Sequence, residues 1–241
     1  MELLVLEIVF RSSTVARGFM KNAVKILSIT PDTPDVNIYR LEKPDGYDYT
    51  PGQATDVAID KDGWRDEQRP FTFTSLPDSD TLEFTIKRYP DHDGVTEQLF
   101  ELSAGDDLII QDPWGTIQYK GTGVFIAGGA GVTPFLAILR DLAKAGDLAG
   151  NSLIFGNKTE SDIIARADLE AMLSNENLLH VLSDEDKQGF SHGLIDKELL
   201  SSWIGDFDQQ FYVCGPPPMM DSVTSALKEL GADPDTLTFE E

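Results

Sequence analysis

The sequence is poor in cysteine, in histidine and in positive charge, and each shortage excludes something. Cys214 is the only cysteine among 241 residues. An internal disulfide is therefore impossible, as is an iron–sulfur cluster held by four of the chain's own thiolates. His92, His180 and His192 stand far apart, with no spacing of metal ligands, and are expected to be solvated or capping. Lys and Arg total 19 against 42 Asp and Glu, for a net charge of −23. Such a surface repels nucleic-acid phosphates and anionic lipid headgroups. The acids are scattered, as in Asp45, Asp48, Asp56, Asp60, Asp62 and Asp66, so the charge belongs to the whole surface rather than to a tail. It suits either a salt-rich interior, where ions screen self-repulsion, or an ordinary acidic protein of the cytoplasm. Long apolar runs are also missing. Leu3–Leu6 and Ile8–Phe10 are interrupted by Glu7 and are too short to span a bilayer. They lack a basic leader and a small-residue cleavage site. Residues 1–20 are expected to be an appended or mis-called extension, with the folded core starting near Met20.

Hydrophobic residues make up 41% of the chain, enough for one large domain or two modest ones. Two rhythms divide it. From about Ala23 to Gln118, alternating runs such as Val24–Ile29, Thr55–Ile59 and Leu82–Lys87 are separated by turn signals at Pro31-Asp32, Pro44-Asp45-Gly46, Pro51-Gly52, Asp62-Gly63 and Pro77-Asp78. This predicts an antiparallel barrel or sandwich, with one helical stretch over Val95–Phe100. After Gly121, strand and helix alternate: Gly123–Ala127, Pro134–Ala145, Ser152–Phe155, a helix through Arg166–Glu170, Leu178–Leu182, Asp196–Trp203, Gln210–Cys214, Pro218–Leu230 and Thr236–Phe239. That pattern predicts a parallel α/β sheet. The expected division is a barrel domain over 21–119 and an α/β domain over 120–241.

Four motifs carry chemistry. Gly128-Gly129-Ala130-Gly131-Val132-Thr133-Pro134 follows a buried strand and opens a helix, where backbone N–H groups can approach a pyrophosphate. Thr133 is suited to cap that helix and Pro134 to start it. Taken alone, the segment also reads as a tight strand-to-helix turn. Cys214-Gly215-Pro216-Pro217-Pro218 is a second strand end, stiffened by three prolines; alone it marks rigidity and a buried thiol. Arg69-Pro70-Phe71-Thr72-Phe73-Thr74-Ser75 offers a guanidinium fork for a phosphate, an aromatic face and a hydroxyl, with Phe71, Phe73 and Ser75 on one face. It reads equally as a strand with one surface Arg. Gly94-Val95-Thr96 opens the lone helix of the first half, as an anion site or a plain capped helix.

Together, in this order, these motifs resemble the ferredoxin–NADP reductase superfamily from about residue 21 to the C-terminus. The resemblance implies a Greek-key β-barrel holding FAD, followed by an α/β domain that binds NADPH or NADH. It implies that Arg69 holds the flavin phosphate with Pro70 beside it, that Phe71 stacks on the flavin in place of the family's usual Tyr, and that Thr72 approaches flavin N5. Gly94, Val95 and Thr96 would cradle the pyrophosphate, with Lys87 among the cofactor-binding residues. Gly129, Gly131, Val132, Thr133 and Pro134 would line the nucleotide site, and Cys214, Gly215 and Pro216 would border the nicotinamide. Thr72, Cys214 and Glu240 are the implied catalytic residues, and no metal is implied. Phe71 departs from the family pattern by lacking the Tyr hydroxyl, which puts one ribityl hydrogen bond in question.

The implied activity is an FAD-dependent NAD(P)H oxidoreductase passing electrons to a separate acceptor: a flavodoxin, a ferredoxin or a small molecule. The alternative is an electron-transfer subunit that works only inside a larger complex. Lys158, after the second α/β strand, leans the choice towards NADPH through a 2′-phosphate, although a solvated Lys would look the same. Acidic protein acceptors would be repelled unless a local cluster involving Lys25, Arg65 or Arg88 receives them.

Overall fold

The computed structural model describes residues 21–89, 94–115 and 117–239. The expected extension over 1–20, His92 and Glu240 lie outside these residues.

The first half is an antiparallel sheet of β1 (Asn22–Thr33), β2 (Val36–Glu42), β3 (Ala54–Ile59), β4 (Arg69–Thr72), β5 (Thr81–Lys87) and β6 (Asp107–Ile110), in the order β4-β3-β6-β1-β2-β5. The two edges meet. A bridge pairs Phe73 with Phe84, and Thr74 N donates to Glu83 O at 2.8 Å, so the sheet closes into a barrel. Period-two alternation sends Val24, Ile26, Tyr39, Leu41, Val57, Leu82, Phe84 and Ile86 inwards to one core. Phe73 stacks on Tyr49 there, with ring centroids 4.2 Å apart. The Tyr49 hydroxyl donates to Leu76 O at 2.9 Å. The turn expected at Pro31-Asp32 is instead part of β1. Pro31 pairs with Asn37 just before a register shift, the kind of irregularity at which a strand tolerates a missing N–H. The chain reverses at Pro34-Asp35. The short helix α1 (Val95–Leu99) buries Val95 and Leu99.

The second half is a parallel sheet of β7 (Gly123–Gly128), β8 (Ser152–Asn157), β9 (Leu178–Leu182), β10 (Ser191–His192), β11 (Gln210–Cys214) and β12 (Leu237–Phe239), in the order β10-β9-β8-β7-β11-β12. Helices α2 (Thr133–Ala145), α3 (Arg166–Met172), α4 (Lys197–Trp203) and α5 (Pro217–Glu229) accompany it. Every residue of β7 is buried, as expected of a strand covered on both faces. Phe125 and Ala127 pack in the layer with α2, and Val124 and Ile126 in the layer with α5.

The two halves interlock. Val36 of the barrel belongs to the core beneath α2. Gly52 (φ +91°) lies so close to the connecting segment that a Cβ there would stand 2.2 Å from Ile117 O. Asp32 accepts a hydrogen bond from Ala165 N at 2.8 Å.

His180 is a correction. It is half-buried on β9 between Phe155 and Phe190, with both ring nitrogens buried and without a hydrogen-bond partner, Nε2 lying 3.8 Å from Glu170 Oε1. Burial lowers its pKa from 6.5, with Glu170 opposing that shift and Arg166 reinforcing it. The folded protein thus favours the neutral ring. Stability is full above about pH 6.5, the ordinary histidine value, and falls as pH drops towards the depressed folded value. His180→Phe is expected to lose less thermal midpoint than the parent between pH 7 and pH 5. Parallel pH profiles would dismiss His180 as a source of acid sensitivity.

Candidate functional site

In an open parallel sheet, ligands bind outside the carboxyl ends of the strands, where strand order reverses. Here the chain runs outwards from β7 through β8, β9 and β10 and then returns to place β11 on the other side of β7. The reversal lies between β7 and β11. Their carboxyl ends carry the glycine-rich turn and the Cys-Gly-Pro turn.

Those turns pack backbone against backbone. A Cβ on Gly131 would stand 2.3 Å from Cys214 O and 2.7 Å from Gly215 N. One on Gly128 would meet Met219 Sδ at 2.4 Å. Gly129 (φ +52°) has open space where a side chain would point. The combination is a bare backbone cradle of the kind a pyrophosphate requires. Residues Gly129–Val132 form a 3₁₀ turn that runs directly into α2, so Thr133 is the first residue of α2 rather than its cap. Its hydroxyl donates back to Ala130 O at 3.0 Å, and Pro134 takes the second helical position. The expected capping role of Thr133 is corrected, because the turn preceding it is already helical. Val132 is buried. Cys214 is 4% exposed and packs in the α2-side core, while Pro216 is exposed and precedes α5.

One residue passed over in the sequence stands out at the end of β8. Asn157 is buried, yet its Nδ2 has no hydrogen-bond partner. An unmet buried amide costs about 1–3 kcal/mol and calls for an explanation. The only sequence signal was its place at the carboxyl end of a strand. Lys158, next to it, is exposed and makes no ion pair among the described residues.

On the barrel side, Arg69 and Pro70 are exposed, Phe71 is half-buried and Thr72 is 8% exposed. The Phe71 ring lies on the core, 6.3 Å from that of Phe84. The Thr72 hydroxyl makes no hydrogen bond to a described residue. Arg69 Nη1 donates to Gln68 O at 2.6 Å and stands 4.0 Å from Glu67. Lys87 is engaged by Asp35 at 2.7 Å. Gly94 precedes α1 in an extended conformation, with Val95 buried and Thr96 half-buried. Arg88 ties β5 to α1 through Glu97, Nε to Oε2 at 2.7 Å.

Each cation expected to receive an acidic acceptor is paired with a carboxylate of its own chain. Lys25 pairs with Asp107 at 2.9 Å, Arg65 with Asp60 and Asp62 at 2.5 Å each, and Arg88 with Glu97. In a chain with more than twice as many acids as bases, a lysine or arginine readily finds a carboxylate of its own. Among the described residues, no group of three or more His, Cys, Asp or Glu could hold a metal ion, and no helix is long and apolar enough to cross a membrane.

A closed antiparallel barrel beside a parallel sheet, with a glycine cradle at the sheet's switch point, is the two-domain fold class of the FAD/NAD-binding reductases. Comparison makes this specific. The family model described as an oxidoreductase NAD-binding domain matches residues 125–225. NADH-cytochrome b5 reductase 1 of Mortierella alpina is 31% identical over 221 residues, 83% of this chain and 72% of that protein. The reductase component of the naphthalene 1,2-dioxygenase system of Pseudomonas putida is 28% identical over 95% of this chain and 69% of its own length. A ferredoxin NADP+ reductase from Neisseria gonorrhoeae, solved with bound FAD and NADP, superposes with a TM-score of 0.80 at 20% identity, covering 91% of this chain and 97% of that one. The chain belongs to the ferredoxin–NADP reductase superfamily. It spans 62% and 52% of two other cytochrome b5 reductase relatives, from Mycosarcoma maydis and Pyricularia oryzae.

Proposed function

We propose that the protein is an FAD-dependent NAD(P)H oxidoreductase that passes electrons to a separate acceptor. The observation that carries this reading is the bare glycine cradle at the β7–β11 switch point, within a chain that belongs to a family of such reductases. The barrel would be the flavin domain, 21–119, and the α/β half the nucleotide domain, 120–241. The Arg69 guanidinium would hold a phosphate of FAD, Phe71 would offer its face to the ring, and the unengaged Thr72 hydroxyl would hydrogen-bond near N5. Gly94–Thr96 would support the pyrophosphate, with Lys87 among the cofactor-binding residues. Gly129–Pro134 would receive the nucleotide, Asn157 and Lys158 its adenosine side, and Cys214–Pro216 its nicotinamide end. A bound flavin supplies the conversion between two-electron and one-electron transfer. The chain's contribution is to hold the two rings in register and exclude water.

The acceptor fits a small molecule or a protein with a basic docking face better than an acidic flavodoxin or ferredoxin, because Lys25, Arg65 and Arg88 are already paired. Relatives named as reductase components of oxygenase systems support a protein acceptor, and with it the alternative of a subunit that works inside a larger complex. A cytoplasmic location is part of this reading.

The test is an anaerobic titration of the purified chain with NADPH and then NADH, following visible flavin absorbance. Bleaching by either nucleotide is expected; a protein that is colourless and takes up no FAD would end the proposal. Dye reduction by the isolated chain separates a self-sufficient enzyme from a subunit. Thr72→Val is expected to slow bleaching by about 10-fold or more while FAD stays bound, as loss of one positioned hydrogen bond predicts. An unchanged rate in stopped flow removes Thr72 from the mechanism.

A further inference from the structure

The Arg140 side chain ties α2 to the barrel and to α3 at once. The residue lies on α2, seven residues after Thr133, so its Cα is about 10 Å along the helix from the end that the glycine cradle leads into. Its guanidinium is largely buried and faces the barrel. Nη1 donates to the backbone carbonyl of Thr74 and to Glu83 Oε1, the latter at 2.9 Å. Nε donates to Asp168 Oδ2 on α3 at 2.7 Å. Glu83, on β5, is only 10% exposed, and it also accepts from Thr74 Oγ1 at 2.9 Å and lies 3.5 Å from Arg40 Nε. Thr74 itself lies two residues past Thr72, in the segment that closes the barrel.

We infer that Arg140 is a positioning residue, a rigid latch between the strand carrying Thr72 and the helix that begins at the nucleotide cradle. This rests on the function proposed above and extends it to the relative placement of the two half-sites. A planar guanidinium fixes its partners in direction as well as distance, which a Lys ammonium cannot do. A backbone carbonyl as one partner ties the guanidinium to the path of the strand itself. A second interdomain ion pair among the described residues, Lys144 with Asp78, is exposed on both sides and has no such constraint. Because reaction between stacked rings depends on placement to within about 1 Å, loosening this latch costs rate rather than affinity.

Arg140→Met alone leaves the buried Glu83 with only the exposed Arg40, at 3.5 Å, and threatens folding. The test therefore uses the double variant Arg140→Met/Glu83→Gln, which removes both charges, alongside Arg140→Lys. Two readouts are taken. The first is the interdomain distance distribution between spin labels at the exposed positions Asp45→Cys and Glu198→Cys, with Cys214 buried away from the label. The distribution is expected to broaden in both variants. The second is flavin bleaching by NADH in stopped flow. Its limiting rate is expected to fall about 10–100-fold in the double variant, with the NADH concentration for half-maximal rate changing less than about 3-fold. In Arg140→Lys the thermal midpoint is expected to recover while the rate stays depressed. A parental distance distribution overturns the latch, as does a rate that follows thermal stability in both variants. The distance measurement needs no cofactor. A broadened distribution in a colourless protein upholds the latch and refutes the proposed function instead.

Discussion

Gly131→Ala is expected to abolish reduction by the nicotinamide nucleotide, raising its dissociation constant at least about 100-fold. The added methyl carbon would lie 2.3 Å from Cys214 O, 2.5 Å from Cys214 C and 2.7 Å from Gly215 N. All three are backbone atoms of the opposite turn, held in register by the parallel pairing of β11 with β7, Cys214 opposite Ala127. No flexible side-chain end is present to swing aside. The two turns must separate, and overpacking of this kind costs about 1–3 kcal/mol in stability. The loss of affinity is larger because both walls of the proposed site move. Gly129→Ala is the control. It places a non-glycine residue at φ +52°, at a cost of about 1–2 kcal/mol, but its Cβ would point into open space and leave the turns together. Equilibrium titration with NADPH and NADH, paired with thermal melts, separates the two. Parental affinity in Gly131→Ala would show that the contact between turns is not needed for binding.

The division of the chain into an antiparallel and a parallel half was legible because hydrophobic period and turn chemistry are local. Leu178–Leu182 and Gln210–Cys214 occur as expected to the residue, since buried apolar runs bounded by polar residues leave few alternatives. Pro31 shows the limit. Its turn chemistry was outweighed by the pairing of β1 with β2, which accommodates it at a bulge. β2 itself, Val-Asn-Ile-Tyr-Arg-Leu-Glu, went unread as a strand because its burial is set by partners distant in sequence. The same holds at the site. The glycine turn was visible as a motif, but why Gly131 must be glycine emerges only when Cys214 arrives from 83 residues away. His180 and Arg140 carried no local signature, and Asn157 only its place at the end of a strand. Their burial and their partners, or lack of partners, follow from how α2, α3, β8 and β9 stack. The expected docking cations show the same limit: each was read as a lone charge, while folding supplies it with a carboxylate partner.

Arg69→Ala is expected to yield protein purified with little or no flavin, yet with a melting transition close to that of the parent's flavin-free form. The structure separates the two effects. Arg69 is exposed, and its contacts are the carbonyl of the neighbouring Gln68 and a Glu67 carboxylate at 4.0 Å, so little folding energy depends on it. Surface substitutions of this kind change stability by about 0.5 kcal/mol or less. The same side chain is free to form a two-pronged contact with a phosphate, and charge-assisted hydrogen bonds contribute about 1.5–3 kcal/mol each. Loss of one such bond predicts roughly a 10- to 150-fold weaker hold on FAD, and loss of both a larger one. A dianionic group beside a chain of net charge −23 has unusual need of that cation. Weakening should therefore be greatest at low ionic strength and should narrow as salt screens the surrounding carboxylates. Arg69→Lys, which keeps the charge but not the fork, is expected to fall between the two. Flavin content of the purified protein and FAD titration of the stripped protein, each at low and high salt, provide the check. A fully yellow Arg69→Ala protein with unaltered FAD affinity would remove Arg69 from the cofactor site and leave the barrel without its assigned phosphate anchor.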